Sequence, residues 1–600
     1  MIKNEKSKKL DRKTFKSIFL RLCTYILEYW YLFIPAVILT LVSNQLSLLG
    51  PKYSGEAIDA LAAVGGVNFD AVTENVIKMI ICYAVSSALS FLLSSLMIFI
   101  SQKIVYTMRR QLFEKLLSLP VGYFDTHPTG DIISHISYDI DTINNSLSHD
   151  LIQIMTSVYT VVGSLIFMWN ISKPLIIVFA VTVPASIIFT RFHSKRVRPL
   201  FHTRSKKLGE LNGYAEEMLS GCRSIQAYAR EDEISKRFNK RNTDSMDAYY
   251  KADYYGCTMG PTVGFINNLS ISLVMILGGI LYLYSQNGAL KAGSMFFITL
   301  GGVSQFVQYS RKFAGPINEF ANILNELQSA FSAAERVFKI LDENPEAEDK
   351  FNAFVLDNAA GNVEFENVVF GYTDDKTILK DISFTAKPGK TIAIVGPTGA
   401  GKTTIINLLM RFYDINNGKI FVDNIESRNI TRKSLRKAYT MVLQDTWLFC
   451  GSIYENIAYG RENATEKEIK AAATAARIDT YIDALPDGYD TILTDDGVNI
   501  SKGQRQLITI ARAMISDSRM LILDEATSNV DSRTEIKIQE AMNELMKERT
   551  CFIIAHRLST IQNADLILVI KDGKITESGN HNELLKCGGF YSTLYNSQFS

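Results

Sequence analysis

Residues 396–404 read GPTGAGKTT, glycines running into a lysine and two threonines. Glycines let successive backbone amides curl around phosphate oxygens, and a helix beginning beyond them adds the favourable end of its dipole. In the pattern G-x-x-x-x-G-K-[ST], Lys402 reaches the β/γ-phosphates and Thr403 ligates Mg²⁺. The nucleotide-facing candidates are Gly396, Thr398, Gly399, Ala400, Gly401, Lys402, Thr403 and Thr404. A second string, RMLILDEATSNVD (519–531), ends an aliphatic run in two acids. Asp524 can hold Mg²⁺ through water, and Glu525 can polarise an attacking water as general base. A third, NISKGQRQ (499–506), reads either as an ordinary basic loop or as a phosphate-binding signature with one position altered.

The flanks of these strings say what must position them. TIAIVG (391–396) reads as a strand leading into the glycine loop, and IINLLMRFY (405–413) as the helix leaving it. VEFENVVF (363–370) is a further strand, and strands alternating with helical runs predict an α/β domain with a parallel sheet. Ligands of such sheets bind at the carboxyl ends of the strands, where Asp524 and Glu525 fall. At 600 residues the chain is too long for one core. A net charge of +1 provides no global basic field, so no nucleic-acid partner is expected. Seven scattered cysteines, never in Cys-x-x-Cys spacing, predict reduced thiols rather than a disulfide framework or a zinc site.

The first half is of another kind. Charge-free stretches run over 29–51, 79–102, 151–172, 174–190, 254–290 and 292–310. About 20 apolar helical residues cross the hydrocarbon core, so six spans are predicted. Residues 1–27 hold eight Lys/Arg against two acids, and residues 191–251 hold fourteen Lys/Arg, whereas the intervening short loops carry isolated lysines. The positive-inside rule then places both termini, the two long loops and the nucleotide domain in the cytoplasm of a multi-pass protein of the plasma or inner membrane. The long loops keep helical spacing, so the second and third spans are expected to continue as helices beyond the bilayer. LPVGYFDTHPTGDI (119–132) and EEMLSGCRSI (216–225) interrupt that spacing and would form cytoplasmic tips.

With these residues in place the chain resembles an ABC exporter half-transporter over essentially its whole length, specifically the subunit of heterodimeric bacterial exporters that carries the catalytic glutamate. The fold implied is an α-helical six-span transmembrane domain followed by an α/β P-loop nucleotide-binding domain. Its expected bounds are 1–340 for the former, a linker over 341–360, and 361–600 for the latter. The resemblance implies that Tyr372 stacks on adenine, and that Gln444 in VLQDTWLF contacts Mg²⁺ and the transport domain. It further implies that His556 in IIAHRLST contacts the γ-phosphate, and that SNVD (528–531) is the D-loop. ISKGQRQ stands where the family has Leu-Ser-Gly-Gly-Gln, so Ser501, Gly503 and Gln504 would face the nucleotide. The two tips resemble coupling-helix regions.

The family places ATP between the P-loop of one nucleotide domain and the signature of another, so the working unit is expected to be a dimer. Lys502 replaces the first signature glycine and either crowds the γ-phosphate or adds a competing charge. A heterodimer with one altered site is the favoured expectation, and a homodimer tolerating the substitution is the alternative. The nearly charge-free spans fit a small hydrophobic or amphipathic substrate. Asn44, Gln45, Asn267, Asn268, Gln305 and Gln308 can line a pocket, although such side chains more commonly bond neighbouring helices. ATP-driven export is the expected activity; a regulatory ATP-gated membrane protein and a homodimeric lipid flippase are the rival readings.

Overall fold

Long apolar runs without an internal break fold as long helices. The computed structural model describes residues 12–63, 66–286, 294–373, 375–443, 446–494, 499–524, 531–554 and 561–599. They fall into two units, one holding the described residues up to Leu117 with Thr129–Glu343, the other Ser118–Pro128 with the residues from Asn344 onward.

The first unit is all helical. Its elements are α1 (Arg12–Glu28), α2 (Trp30–Leu61) and α3 (Phe69–Leu117). After α4 (Val121–Thr126), which belongs to the second unit, come α5 (Thr129–Ile171), α6 (Lys173–Ser220), α7 (Cys222–Ala227), α8 (Glu231–Gln286) and α9 (Leu300–Asp342). Five of them, α2, α3, α5, α6 and α8, are long and apolar enough to cross a membrane. The sixth expected span, 292–310, is displaced: residues 294–299 are turn and coil, and the helix, α9, begins only at Leu300 and runs on to Asp342. Helix α3 has 49 residues, about 74 Å at 1.5 Å per residue, more than twice the hydrocarbon thickness. It therefore continues well past the bilayer. The expected tips are real breaks in helix: α3 stops ahead of Pro120, and α6 stops at Gly221.

Small and hydroxylated residues bring these helices together, as membrane packing requires. Ser43 of α2 bonds Ser90 of α3 at 2.6 Å. The Tyr309 hydroxyl of α9 donates to the Leu48 carbonyl at 2.6 Å, and the same ring stacks on Phe167 of α5 at 5.0 Å.

The second unit is built on a six-stranded sheet. In chain order its strands are β1 (Val363–Phe370), β2 (Leu379–Ala386), β3 (Thr391–Val395), β4 (Asn417–Val422), β5 (Ile425–Glu426) and β6 (Tyr439–Val442). There follow β7 (Gly451–Ser452), β8 (Ile492–Leu493), β9 (Met520–Asp524), β10 (Thr550–Ile554), β11 (Leu566–Lys571) and β12 (Lys574–Gly579). The main sheet has the order β12-β11-β3-β10-β9-β6, parallel except for the β11–β12 edge. A four-stranded antiparallel sheet runs β2-β1-β4-β5. Alternation divides the main sheet cleanly: Ile392, Ile394, Phe552 and Ile554 enter one core, and Ala393, Val395, Leu521 and Ile553 the other. Both faces are covered, which is why β9 and β10 read as unbroken apolar runs.

Candidate functional site

The phosphate loop follows β3 and feeds α10 (Lys402–Leu409). Gly401 caps that helix at φ 107°, in the left-handed region where a side chain is strained, and a Cβ there would lie 2.6 Å from Leu379. Gly396 has φ 157°, and a Cβ on it would come within 2.2 Å of the Ile570 carbonyl oxygen. Both glycines are therefore set by the backbone path. Lys402 Nζ donates to the carbonyls of Gly396 at 2.7 Å and Pro397 at 3.1 Å, closing the loop on itself. Burial pulls its pKa below the ordinary lysine range, and the Asp524 carboxylate acts in the opposite sense. Ala400 and Thr404 are buried, whereas Thr398, Gly399 and Thr403 are exposed.

Strand register brings the acidic element alongside. Ile554 of β10 pairs with Ile394 of β3 on one side and with Asp524 of β9 on the other. The carboxyl ends of three neighbouring strands are thus level. At the usual strand spacing Asp524 lies about 10 Å across the sheet from Ile394, just below the loop. Asp524 is the last residue of β9, and Val442 ends β6 on its other side. Glu525, Gln444 and His556 lie outside the described residues, as do residues 528–530 of the SNVD string. In chain position they follow the carboxyl ends of β9, β6 and β10, which are adjacent strands.

Tyr372 is half-exposed beside the loop. Its hydroxyl donates to Thr404 Oγ1 at 3.3 Å and accepts from Asn407 Nδ2 at 3.1 Å. Its ring meets Phe370 at 5.0 Å and Tyr413 at 4.9 Å, both edge-on. Asn407 and Tyr413 escape the motif reading, because nothing in their spacing points to Tyr372.

The signature string is held elsewhere. Helix α11 runs Lys502–Met514 and takes Lys502 into its first turn. Ser501 is its N-cap: Ser501 Oγ accepts from the Gln504 amide at 3.3 Å, and Gln504 Oε1 accepts from the Ser501 amide at 2.8 Å. The Ser-x-x-Gln spacing is itself a capping-box signal. The serine hydroxyl keeps its own proton available to a phosphate oxygen. Gly503 is buried in that turn. No hydrogen bond joins Ser501, Gly503 or Gln504 to residues 396–404 among the described residues.

These parts fit a triphosphate with its metal: a glycine loop of fixed backbone, a lysine over it, an exposed hydroxyl at Thr403 and a carboxylate level with the loop. Mg²⁺ ordinarily takes one or two protein oxygens and completes its shell with water and phosphate. In the helical unit, four of the intramembrane polar candidates bond neighbours. Asn44 donates to the Thr40 carbonyl, Gln45 accepts from Tyr159, Gln305 donates to the Lys52 carbonyl and Gln308 donates to Ser54.

Comparison with known proteins agrees with both halves. The ABC transporter transmembrane region matches residues 32–306, and the ABC transporter domain matches residues 379–528. The ABC transporter ATP-binding protein YfiC of Bacillus subtilis is 41% identical over 592 residues, 99% of this chain and 96% of that protein. The fatty acid ABC transporter ATP-binding/permease protein of Mycobacterium bovis is 43% identical, covering 88% of this chain and 81% of its own. The ATP-dependent lipid A-core flippase of Methylobacillus flagellatus is 32% identical over 97% of each. A bacterial Atm1-family ABC exporter solved with ATP bound superposes with a TM-score of 0.74 at 28% identity, covering 95% of this chain and 98% of that one.

Proposed function

The chain belongs to the ABC transporter family as an exporter half-transporter whose ATPase drives export across a membrane, and from that premise we propose how its residues divide the work. The observation that carries the reading is the shared pairing of Ile554 with Ile394 and Asp524, which levels the glycine loop with the acidic strand end. Lys402 and the loop amides bind the β/γ-phosphates, and Tyr372 stacks on adenine. Thr403, Gln444 and Asp524 would hold Mg²⁺, which supplies charge neutralisation at the phosphates when bound. Glu525 accepts a proton from the attacking water, and His556 contacts the γ-phosphate.

ABC exporters act as dimers in a lipid membrane. We propose that this chain pairs with a different half-transporter, its nucleotide domain cytoplasmic and its spans in the plasma or inner membrane. Ser501, Gly503 and Gln504 would close over the partner's phosphate loop. Lys502 supports the heterodimer: where the family has a glycine, its side chain stands in the first turn of α11 and crowds the approach of the γ-phosphate. The site capped by this chain is then the weaker one, and the site holding Glu525 hydrolyses. Closure requires nucleotide to bind the closed pair more tightly than the open one, which a γ-phosphate bridge provides. The substrate is hydrophobic or amphipathic, in keeping with relatives described as a fatty acid transporter and a lipid A-core flippase.

The test is purification of the chain alone and with its co-purifying subunit, followed by ATPase and vectorial transport assays in proteoliposomes. Turnover abolished by Glu525→Gln only in the paired complex is expected. Robust Glu525-dependent turnover by the chain alone would refute the obligate heterodimer.

A further inference from the structure

One face of α9 carries charge at membrane depth. At about 100° per residue, Ser304, Gln308, Arg311, Gly315 and Glu319 fall within a single arc, and Phe306, Tyr309, Ser310 and Phe313 are buried on the opposite side. Arg311, Gly315 and Glu319 are exposed. The depth is fixed by three neighbours. Lys312 Nζ donates to Ser47 Oγ at 2.8 Å and lies 5.9 Å from the Tyr83 ring centre, and Tyr309 stacks on Phe167. Ser47 and Tyr83 stand four residues, and Phe167 five, inside an end of their charge-free stretches, at Pro51, Met79 and Ser172. Four residues of helix are about 6 Å, so Arg311 and Lys312 lie within the hydrocarbon layer rather than at its edge.

Neither cation is neutralised by a described residue of this chain. Among the described residues Arg311 has no hydrogen-bond or ion-pair partner, and Lys312 hydrogen-bonds only the neutral Ser47. Glu319 is eight residues further along, about 12 Å, and accepts from Gln153 instead. Beside the guanidinium the surface is clear: a Cβ on Gly315, one turn away on the same arc, would meet nothing within 4 Å. A polar arc of this kind is not solvated by acyl chains, and intramembrane charge is retained where it faces an aqueous path or an ion. The planar guanidinium fork matches a carboxylate or phosphate with two parallel hydrogen bonds, and the adjacent ammonium adds a point charge.

We propose that Arg311, with Lys312 beside it, binds the anionic headgroup of the transported amphipath, so that the substrate class is a carboxylate- or phosphate-bearing lipid-like molecule. This inference rests on the export reading and names the chemistry that reading leaves open. The apolar part of the substrate would lie along the spans while the headgroup stays on the polar arc of α9.

The experiment is displacement of a pyrene-labelled fatty acid from the nucleotide-free full chain, with its co-purified partner, in nanodiscs of zwitterionic lipid. Competitors share one acyl chain and differ in headgroup: acid, alcohol and amine. The acid should displace the probe about tenfold more effectively than the alcohol, the size expected of a charge-assisted hydrogen bond. Arg311→Gln should abolish that preference, Arg311→Lys should keep part of it, and Arg311→Glu should reverse it toward the amine. Acetate and inorganic phosphate should not compete, which separates an amphipath site from a free-anion site. Equal displacement by all three headgroups, or an undiminished acid preference in Arg311→Gln, overturns the proposal. Because binding is read without ATP, acid preference without ATPase activity would sink the export reading and keep this one. Transport without headgroup preference would do the opposite.

Discussion

The Tyr413 hydroxyl donates a hydrogen bond to the Asp125 carboxylate, joining residues 288 positions apart in the chain. Asp125 lies on α4, the short helix in the first break of the helical half, and a Cβ on Gly122 of that helix would lie only 2.9 Å from the Tyr413 ring. Burial and the Asp125 carboxylate both raise the Tyr413 pKa, so the phenol stays protonated and can donate. The other side of the ring meets Tyr372, whose hydroxyl reaches Thr404 of the phosphate loop. Two tyrosines therefore separate the loop from α4.

That arrangement predicts a coupling defect. Tyr413→Phe removes the bond to Asp125 and keeps the ring against Tyr372. Losing one hydrogen bond to a charged group costs about 1.5 kcal/mol or more, so substrate-stimulated ATPase activity should fall by about tenfold or more while basal turnover stays within about twofold. Equal loss of both rates would show that Tyr413 serves the nucleotide site alone.

Lys402 supports a sharper expectation. Lys402→Ala leaves the carbonyls of Gly396 and Pro397 without their donor and removes the cation over the loop. Stripping a preorganised donor from a phosphoryl-transfer site costs about 10²–10³ in rate. The measurement is kcat/KM for ATP, with thermal unfolding as the control for folding.

The local parts of this site are readable because each is encoded within a few residues. The glycines of 396–401 imply the tight loop, and the unbroken aliphatic run before Asp524 implies a strand covered on both faces. The register at Ile554 is not readable, since it depends on how β3, β9 and β10 align after folding. Nor are Tyr413 and Asp125, which have no local pattern and meet only in three dimensions. Ser501 and Gln504 are a different case. Their Ser-x-x-Gln spacing is local, and it fixes the start of α11 at Lys502. Apolar length revealed the membrane helices, but the π-helical turns at His135–Asp139 and Ser146–Asp150 inside α5 leave no trace in hydropathy.

Arg432 anchors residues 346–349 to the nucleotide domain. Its side chain is 9% exposed and donates to Asp349 at 3.1 Å, Asp414 at 3.0 Å and the Ala347 carbonyl at 2.7 Å. Arg432→Ala removes these three bonds but leaves Arg411 on Asp414 at 2.9 Å and the residue-432 amide on Asp349 at 2.9 Å, so the cost is about 1–3 kcal/mol. A lowered thermal midpoint, with Arg432→Lys restoring only part of it, is expected because an ammonium cannot reproduce the fork.

The cysteines should differ sharply in reactivity. Cys222, Cys257, Cys450 and Cys587 are exposed, whereas Cys551 is buried on β10 and its thiol is pushed up to about 12 by burial. The thiolate is the reacting form. Maleimide at about pH 8 should label the four exposed residues and spare Cys551 until the protein is denatured, as read by peptide mass spectrometry. Native labelling of Cys551 would mean that β10 opens.

Glu468 makes a pH prediction with a definite sign. It accepts from the Thr465 hydroxyl at 2.6 Å and the Thr465 amide at 2.8 Å and pairs with Arg461, and these bonds pull its pKa down to about 2. A carboxylate whose folded pKa lies below its unfolded value, near 4.3, stabilises the fold above that value. The contribution is lost as pH falls through the folded pKa. Glu468→Gln can still accept from the Thr465 amide, so the comparison isolates charge from capping. The variant should melt below the unsubstituted protein at about pH 6, and the gap should close between about pH 4 and pH 2. A gap that persists unchanged to the acid end would mean that geometry, not ionisation, sets the contribution of Glu468.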